Sequence, residues 1–383
     1  MKKLSKNIHS TKEEILKNGC IFTPDYIVDL VFNQVKPYVN KNTYIGDFCS
    51  GYGAFVDKFN TISENVFGTE MDETSLALLK NNFNNKFYYE NSLVNVKRDK
   101  YNLSDSDELI IVGNPPYNDI TSQYKKGDKG DIICDDDLKA RDMGVSFLKA
   151  YAKLKASYIC VLHPLAYLIK KQNFNMLKAF KDNYQLLSAV IFSSKEFESI
   201  KKSNSEFPII AALYKRNEVG MTYDDIINFN FKIFKSNKVF CLKDIKTIDG
   251  KVSKYPIKGE KTKIQFYTQR DMNSLIRNTS FINKDSSNGL NVTIDNLYQY
   301  SWLFFLKTNF NPPSNKFLYG NLSPLYFDEL ENSSYKNAVV SYAYNNSPIV
   351  KDYFNKGDLE KKYGKLTEDY QILFDKLKEL YIF

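Results

Sequence analysis

The chain predicts an α/β fold, a Rossmann-like doubly wound sheet followed by a smaller carboxyl-terminal domain. Three observations predict it. Apolar runs alternate with helical patterns from residue 44 to about 216, a glycine-bearing turn follows the first run, and a stiff Asn-Pro-Pro-Tyr corner follows the fourth. Strands and helices alternating at this spacing imply parallel pairing, because each parallel neighbour needs a crossover connection.

Residues 44–48 read as the first strand, and 54–59 begin a helix. Residues 65–70 form the next strand, followed by a helix over 74–82. Further strands are expected at 86–90, 109–112, 158–162, 187–192 and 208–214, with helices at 145–155 and 173–183 between them. The polar insertion 118–142, rich in Lys, Gly and Asp, reads as a mobile loop beside the proline corner. Beyond 217 the pattern changes to short aromatic runs broken by Lys, Asn, Ser and Gly, which places a domain boundary there and divides the chain into 1–217 and 218–383.

A chain of 383 residues can bury a large core, and 43% hydrophobic with 26% charged residues is a globular balance, neither disordered nor membranous. The basic start Met1-Lys2-Lys3 has no apolar stretch behind it, so neither a signal peptide nor a membrane partner is expected. Five cysteines (Cys20, Cys49, Cys134, Cys160, Cys241) lie far apart without a CxxC pair, which argues against a disulfide framework and against bound metal. A reducing cytoplasm fits this usage.

The net charge of +8 is concentrated. Residues 231–284 hold thirteen Lys or Arg against four Asp or Glu, while the rest of the chain holds 40 against 41. Within that stretch Lys251, Lys254, Lys258, Lys261 and Lys263 are interleaved with aromatics such as Phe234, Tyr255 and Tyr267. This is the expected footprint of a surface that contacts phosphates and stacks on bases; the bland alternative is a solvated face in a Lys- and Asn-rich protein.

Two patterns carry chemistry. In Asn114-Pro115-Pro116-Tyr117 the adjacent prolines hold φ near −65° and force the residue before each into an extended conformation. The corner offers an amide, carbonyls without competing N–H groups and an aromatic face, a set suited to a planar, amine-bearing ring. An ordinary loop after a buried strand is the alternative. Asn311-Pro312-Pro313-Ser314 repeats three of the four letters without the strand or the aromatic, and reads as a plain turn. The second pattern is Asp47-Phe48-Cys49-Ser50-Gly51-Tyr52-Gly53, whose glycines let backbone approach a ligand closely. The second strand then ends in Glu70, where a carboxylate can accept from ribose hydroxyls.

Phe22-Thr23-Pro24, Asp47-x-x-x-Gly51-x-Gly53, Glu70 and Asn114-Pro115-Pro116-Tyr117, in this order, resemble the motifs of S-adenosylmethionine-dependent DNA adenine-N6 methyltransferases. The likeness covers about 19–216. It implies S-adenosylmethionine as cofactor, with its methionine end near Phe22, Thr23, Pro24 and the Asp47–Gly53 turn, Glu70 on the ribose and Met71 packed on the adenine. Asn91 stands where the family carries an aspartate toward the adenine amine, a departure that keeps an acceptor and drops the charge. Asn114, Pro115, Pro116 and Tyr117 would be catalytic, with Tyr117 and Phe197 stacking on the two faces of an extruded base. The implied partner is double-stranded DNA held by a carboxyl-terminal target-recognition domain, with a cognate restriction endonuclease acting on the same site. A ribosomal RNA methyltransferase, a protein-glutamine methyltransferase and an inactive nucleic-acid-binding protein on the same scaffold are the alternatives. Neither His9 nor His163 enters the chemistry; His163, at a strand end, is expected to be structural.

Overall fold

The computed structural model describes residues 22–117, 133–197, 206–256, 259 and 261–383. The chain forms two compact units, Met1–Leu242 and Lys243–Phe383. The division falls beyond the expected boundary at 217 because two further strands, described below, extend the first unit's sheet.

That sheet has nine strands: β1 (Tyr44–Asp47), β2 (Val66–Glu70), β3 (Lys86–Tyr89), β4 (Leu109–Gly113), β5 (Tyr158–Pro164), β6 (Tyr184–Ser193), β7 (Pro208–Arg216), β8 (Phe231–Ile233) and β9 (Val239–Phe240). Their spatial order is β3-β2-β1-β4-β5-β7-β6-β8-β9. The pairs from β3 through β5 are parallel, as is β6 with β8. β7 runs antiparallel to both of its neighbours, and β9 antiparallel to β8. The expected parallel sheet is therefore a mixed, mostly parallel one, still Rossmann-like and doubly wound. β7 is buried along its first seven residues, and a strand covered on both faces reads as the same apolar run in either direction.

The sequence order reverses between β1 and β4, which are adjacent, so their carboxyl ends open a crevice at the switch point. Helix α1 (Asp25–Val35) buries Ile27, Val28, Val31, Phe32 and Val35, a single stripe at helical spacing. It shares a core cluster with Phe55, Val56 and Phe59 of α2 (Ala54–Phe59) and with Ile45, Ile110, Val112 and Cys160 of the central strands. α3 (Glu73–Asn82) follows β2 and is capped by Asp72, whose carboxylate accepts from Ser75 N. On the opposite face Gly46 leaves room that the Phe48 and Phe67 rings fill, and Phe48 packs on Tyr151 of α4 (Met143–Lys153) at 5.8 Å between centroids.

Two expectations change in detail. The helix expected over 173–183 is two short ones, Lys171–Met176 and Ala179–Asn183, separated where Lys178 adopts φ +46°. Of the insertion 118–142, residues 118–132 lie outside the described residues. Its remainder is pinned: Leu138 is buried, and the Asp135 carboxylate accepts from Asn95 N and Val96 N at 2.8 and 3.1 Å.

The second unit holds a three-stranded antiparallel sheet, β10 (Gln265–Tyr267) between β11 (Phe281–Ile282) and β12 (Gly289–Asn291). Helices α5 (Leu297–Asn309) and α6 (Ser333–Asn346) pack together in its core. Trp302 on α5 is fully buried, and its indole N–H donates to Leu325 O at 2.8 Å. Asn311 follows α5 as an exposed residue whose N–H donates to the Tyr381 hydroxyl, and the chain bends at Pro313 and Ser314. Among the described residues no helix is long and apolar enough to cross a membrane.

Candidate functional site

A cavity of about 330 Å³ opens at the carboxyl ends of β1, β2, β3 and β4, a size within the range of ligand pockets. Its wall takes Phe22 and Thr23 from ahead of α1, Gly51 from the turn after β1, and Glu70 with Met71 from the end of β2. Asn91 after β3 and Asn114 with Pro116 after β4 complete it. Segments up to 125 residues apart in sequence, from Phe22 to Phe147, thus meet around one space.

Backbone geometry explains the turn. Gly51 and Gly53 have φ of +52° and +85°, the left-handed region that glycine enters without steric cost. A Cβ on Gly53 would also stand 2.6 Å from the Phe83 ring, whereas one on Gly51 would meet nothing within 4 Å. Gly53 is therefore required by packing and conformation, and Gly51 by conformation at an open wall. Ser50 ties the turn together, its hydroxyl donating to Asp47 O at 2.9 Å.

Glu70 is held by backbone donors. Oε2 accepts from Gly51 N, and Oε1 from Met71 N and Asp72 N, all at 2.9 Å. Burial raises its pKa, opposed by those same N–H groups. A carboxylate offers about four acceptor positions, so Oε2 keeps capacity for a hydroxyl donor. Asp47, 1% exposed, sits behind the turn rather than in the wall. Its Oδ1 accepts from Cys49 N at 3.3 Å, while Oδ2 is buried without a partner. Burial pushes this carboxyl up to about 7; the Cys49 N–H pulls the other way, and the charge of Glu70 adds to the rise. Neither acid forms an ion pair with a described residue.

Asn114 presents the clearest feature. Its Nδ2 donates to the buried Thr23 hydroxyl at 3.2 Å, which turns Oδ1 away from that contact. Oδ1 is buried and accepts no hydrogen bond, an omission that costs about 1–3 kcal/mol unless a donor arrives. Pro115 behind it is buried, and Gly113, at φ +143°, leaves the space into which the Asp47 carboxylate fits.

Other expected residues stand elsewhere. Asn91 is in the wall, but its Nδ2 donates to Ile133 O at 2.7 Å and its Oδ1 accepts from Leu93 N at 2.9 Å, so its acceptor is already partly used. Met71 is 65% exposed at the rim. Pro24 precedes α1. Tyr117 does not line the cavity; its hydroxyl is buried without a partner, and burial raises its pKa. Phe197, expected to stack on a base, is fully buried in the core cluster, 5.9 Å from the Phe192 ring, and offers no face to the cavity. His163 is structural as expected: it is 1% exposed, its Nε2 lies 2.7 Å from the Tyr214 hydroxyl, and burial lowers its pKa to about 4.

The wall also contains residues that sequence reasoning did not single out. Phe48, Cys49 and Tyr52 lie inside the quoted Asp47–Gly53 turn, so adjacency marked them. Phe147 and Met143 come from α4 and Ile133 from within the insertion, where no motif signals a site.

The lysines expected to bind DNA belong to the second unit, and most already have anionic neighbours. Lys254 pairs with Asp249, Lys261 with Asp285 at 2.6 Å, and Lys251 approaches Asp328 at 4.0 Å. Lys263 is exposed, and Lys258 lies outside the described residues.

No family model and no curated protein matches the sequence. Solved structures do. A S-adenosylmethionine-dependent methyltransferase from Anabaena variabilis is 12% identical, with 54% of this chain and 92% of that one covered and a TM-score of 0.35. One from Clostridium acetobutylicum is 10% identical, covering 53% and 95%, with a TM-score of 0.32. Precorrin-6y C5,15-methyltransferase from Geobacter metallireducens is 13% identical, covering 51% and 90%, with a TM-score of 0.32. Likeness at this level carries nothing about what this chain binds or does; its own residues must supply that.

Proposed function

We propose that the protein is a S-adenosylmethionine-dependent methyltransferase that modifies N6 of an extruded adenine in DNA, as the modification enzyme of a restriction-modification system. The observation that carries this reading is the Asn114 side-chain oxygen, buried without a partner in the same cavity wall as Glu70 and the Gly51 turn. The chemistry of the donor set fits the cofactor. Glu70 has acceptor capacity for ribose hydroxyls and, when ionised, favours positive charge, and Phe22 and Phe55 give the cavity apolar surface.

When bound, S-adenosylmethionine supplies an electrophilic methyl group on a sulfonium. Every other task falls to the chain. Asn114 Oδ1 accepts from the target amine, joined by the adjacent proline carbonyl, and draws the nitrogen toward tetrahedral geometry. Its lone pair, otherwise delocalised into the ring, becomes localised and available for in-line attack. The Thr23 hydroxyl keeps Asn114 in the accepting orientation. Loss of the proton from the alkylated, cationic nitrogen needs no strong base, which accords with His163 being buried away from the cavity.

Duplex DNA hides the adenine amine, so the base must leave the stack to reach this cavity. The basic stretch 231–284 supports a nucleic-acid partner. Its aspartate pairs are exposed and weak enough for phosphates to replace. Incubation with methyl-tritiated cofactor and, in parallel, DNA, RNA and a release-factor-like protein tests the reading. Label recovered as N6-methyladenine in DNA supports it; label confined to RNA or protein defeats it.

A further inference from the structure

The carboxyl edge of the sheet continues past the cavity toward β6 and β8, and an exposed group of side chains stands there. Tyr26, on the first turn of α1, is 40% exposed and lies three residues from Thr23, which holds Asn114. Its ring stacks with Phe234 at 6.0 Å between centroids and 1° between planes. Phe234 follows the end of β8, anchored by its N–H to Ile191 O at 2.8 Å. The Lys235 ammonium lies over both rings, 5.1 Å from Tyr26 and 4.8 Å from Phe234. The Tyr26 hydroxyl donates to Glu196 Oε2 at 2.7 Å, which ties α1 to the turn after β6.

We propose that Tyr26, Phe234 and Lys235 form a nucleic-acid platform on the first unit, where Lys235 binds a backbone phosphate of the strand that carries the target nucleotide. Three features argue for this occupant. Lys254 and Lys261 are engaged by aspartates, whereas Lys235 forms no ion pair with a described residue and is positioned by ring faces. An ammonium held by aromatic faces keeps its full charge for an incoming anion and needs little reordering. The platform also occupies the strand-end edge that carries Asn114, on the side away from Glu70 and Gly51. Glu196 is the acidic neighbour; its carboxylate is bound to the far tip of Tyr26 and forms no ion pair with Lys235.

The proposal rests on the DNA reading for its substrate, and its test separates the two. The full chain is titrated onto a fluorescein-labelled, mixed-sequence DNA duplex over a series of KCl concentrations, and methyl transfer to the same duplex is measured in parallel. Lys235→Asn removes the charge with a residue that tolerates the φ of +57° found there. It should reduce the slope of log K against log salt by about 0.9, one phosphate contact, and Lys235→Arg should restore it. A slope identical to wild type in Lys235→Asn overturns the platform, as does a wild-type chain that does not bind the duplex at low salt. A wild-type chain that binds the duplex without methylating it overturns the DNA-methylation reading alone, and the Lys235→Asn slope still decides the platform.

Discussion

Asn114 donates its side-chain amide to the Thr23 hydroxyl at 3.2 Å, joining the corner after β4 to the segment ahead of α1. The bond leaves one end of the Asn114 amide committed and the other, Oδ1, buried and open. An accepting oxygen with a fixed direction is what the proposed reaction requires.

Thr23→Val keeps the shape and removes the acceptor. With Asn114 free to rotate, turnover should fall on the order of 10²-fold, the penalty of a misplaced reacting group. Thr23→Ser should recover most of it. Steady-state kinetics on both variants check this, and equal losses in Val and Ser would show that the hydroxyl is not the positioning element.

Glu70→Gln replaces an acceptor of three backbone N–H groups with an amide that turns a donor toward some of them. Lost hydrogen bonds to a charged group cost roughly 1.5–3 kcal/mol each. Calorimetric titration with S-adenosylhomocysteine should show binding weakened by at least tenfold, accompanied by a lower Tm.

Asp47 sets a pH dependence. Its carboxyl titrates at about 7 in the fold against 3.8 as its ordinary value, so the folded state holds a proton that the unfolded chain releases across that window. Stability contributed at low pH is therefore lost as pH rises from about 4 to 7, by up to about 4 kcal/mol at 1.36 kcal/mol per unit. His163 acts in the opposite sense: held neutral down to about 4, it costs stability as pH falls below its ordinary 6.5. The difference in Tm between wild type and Asp47→Asn isolates the first effect. Wild type should lose ground to the variant steadily between pH 4.5 and 7.5; a flat difference would place the Asp47 carboxyl in the ordinary acidic range.

Gly113→Ala should damage both stability and activity. The residue has φ +143°, and a Cβ there would lie 2.6 Å from Asp47 Oδ1. A strained backbone residue costs about 1–3 kcal/mol, and the displaced carbonyl would carry Asn114 with it. Thermal denaturation and a turnover assay measure the two effects separately.

Much of this was legible in the sequence for a physical reason. β1 through β5 are short apolar runs bounded by turn residues, and the glycines and prolines at their ends limit the backbone to a few conformations. That is why Gly51, Glu70 and Asn114, which line one cavity, could be grouped as one candidate site from the sequence. What escaped depends on tertiary arrangement. The direction of β7 leaves no mark on a run buried on both faces, and β8 and β9 are too short to show a period. Phe197 sits where a stacking aromatic was expected, yet it packs on Phe192 within the core cluster, which spacing alone does not reveal. The basic stretch was visible as charge, but two of the aspartates that pair with it, Asp285 and Asp328, come from later in the chain.

The most direct test of the central claim is Asn114→Ala, measured for methyl transfer to DNA and for cofactor binding on the same preparation. Removing the open acceptor should lower kcat on the order of 10²–10³-fold, as the loss of one preorganised charge-stabilising group does, while cofactor affinity holds. Normal turnover with lost cofactor affinity would contradict the account.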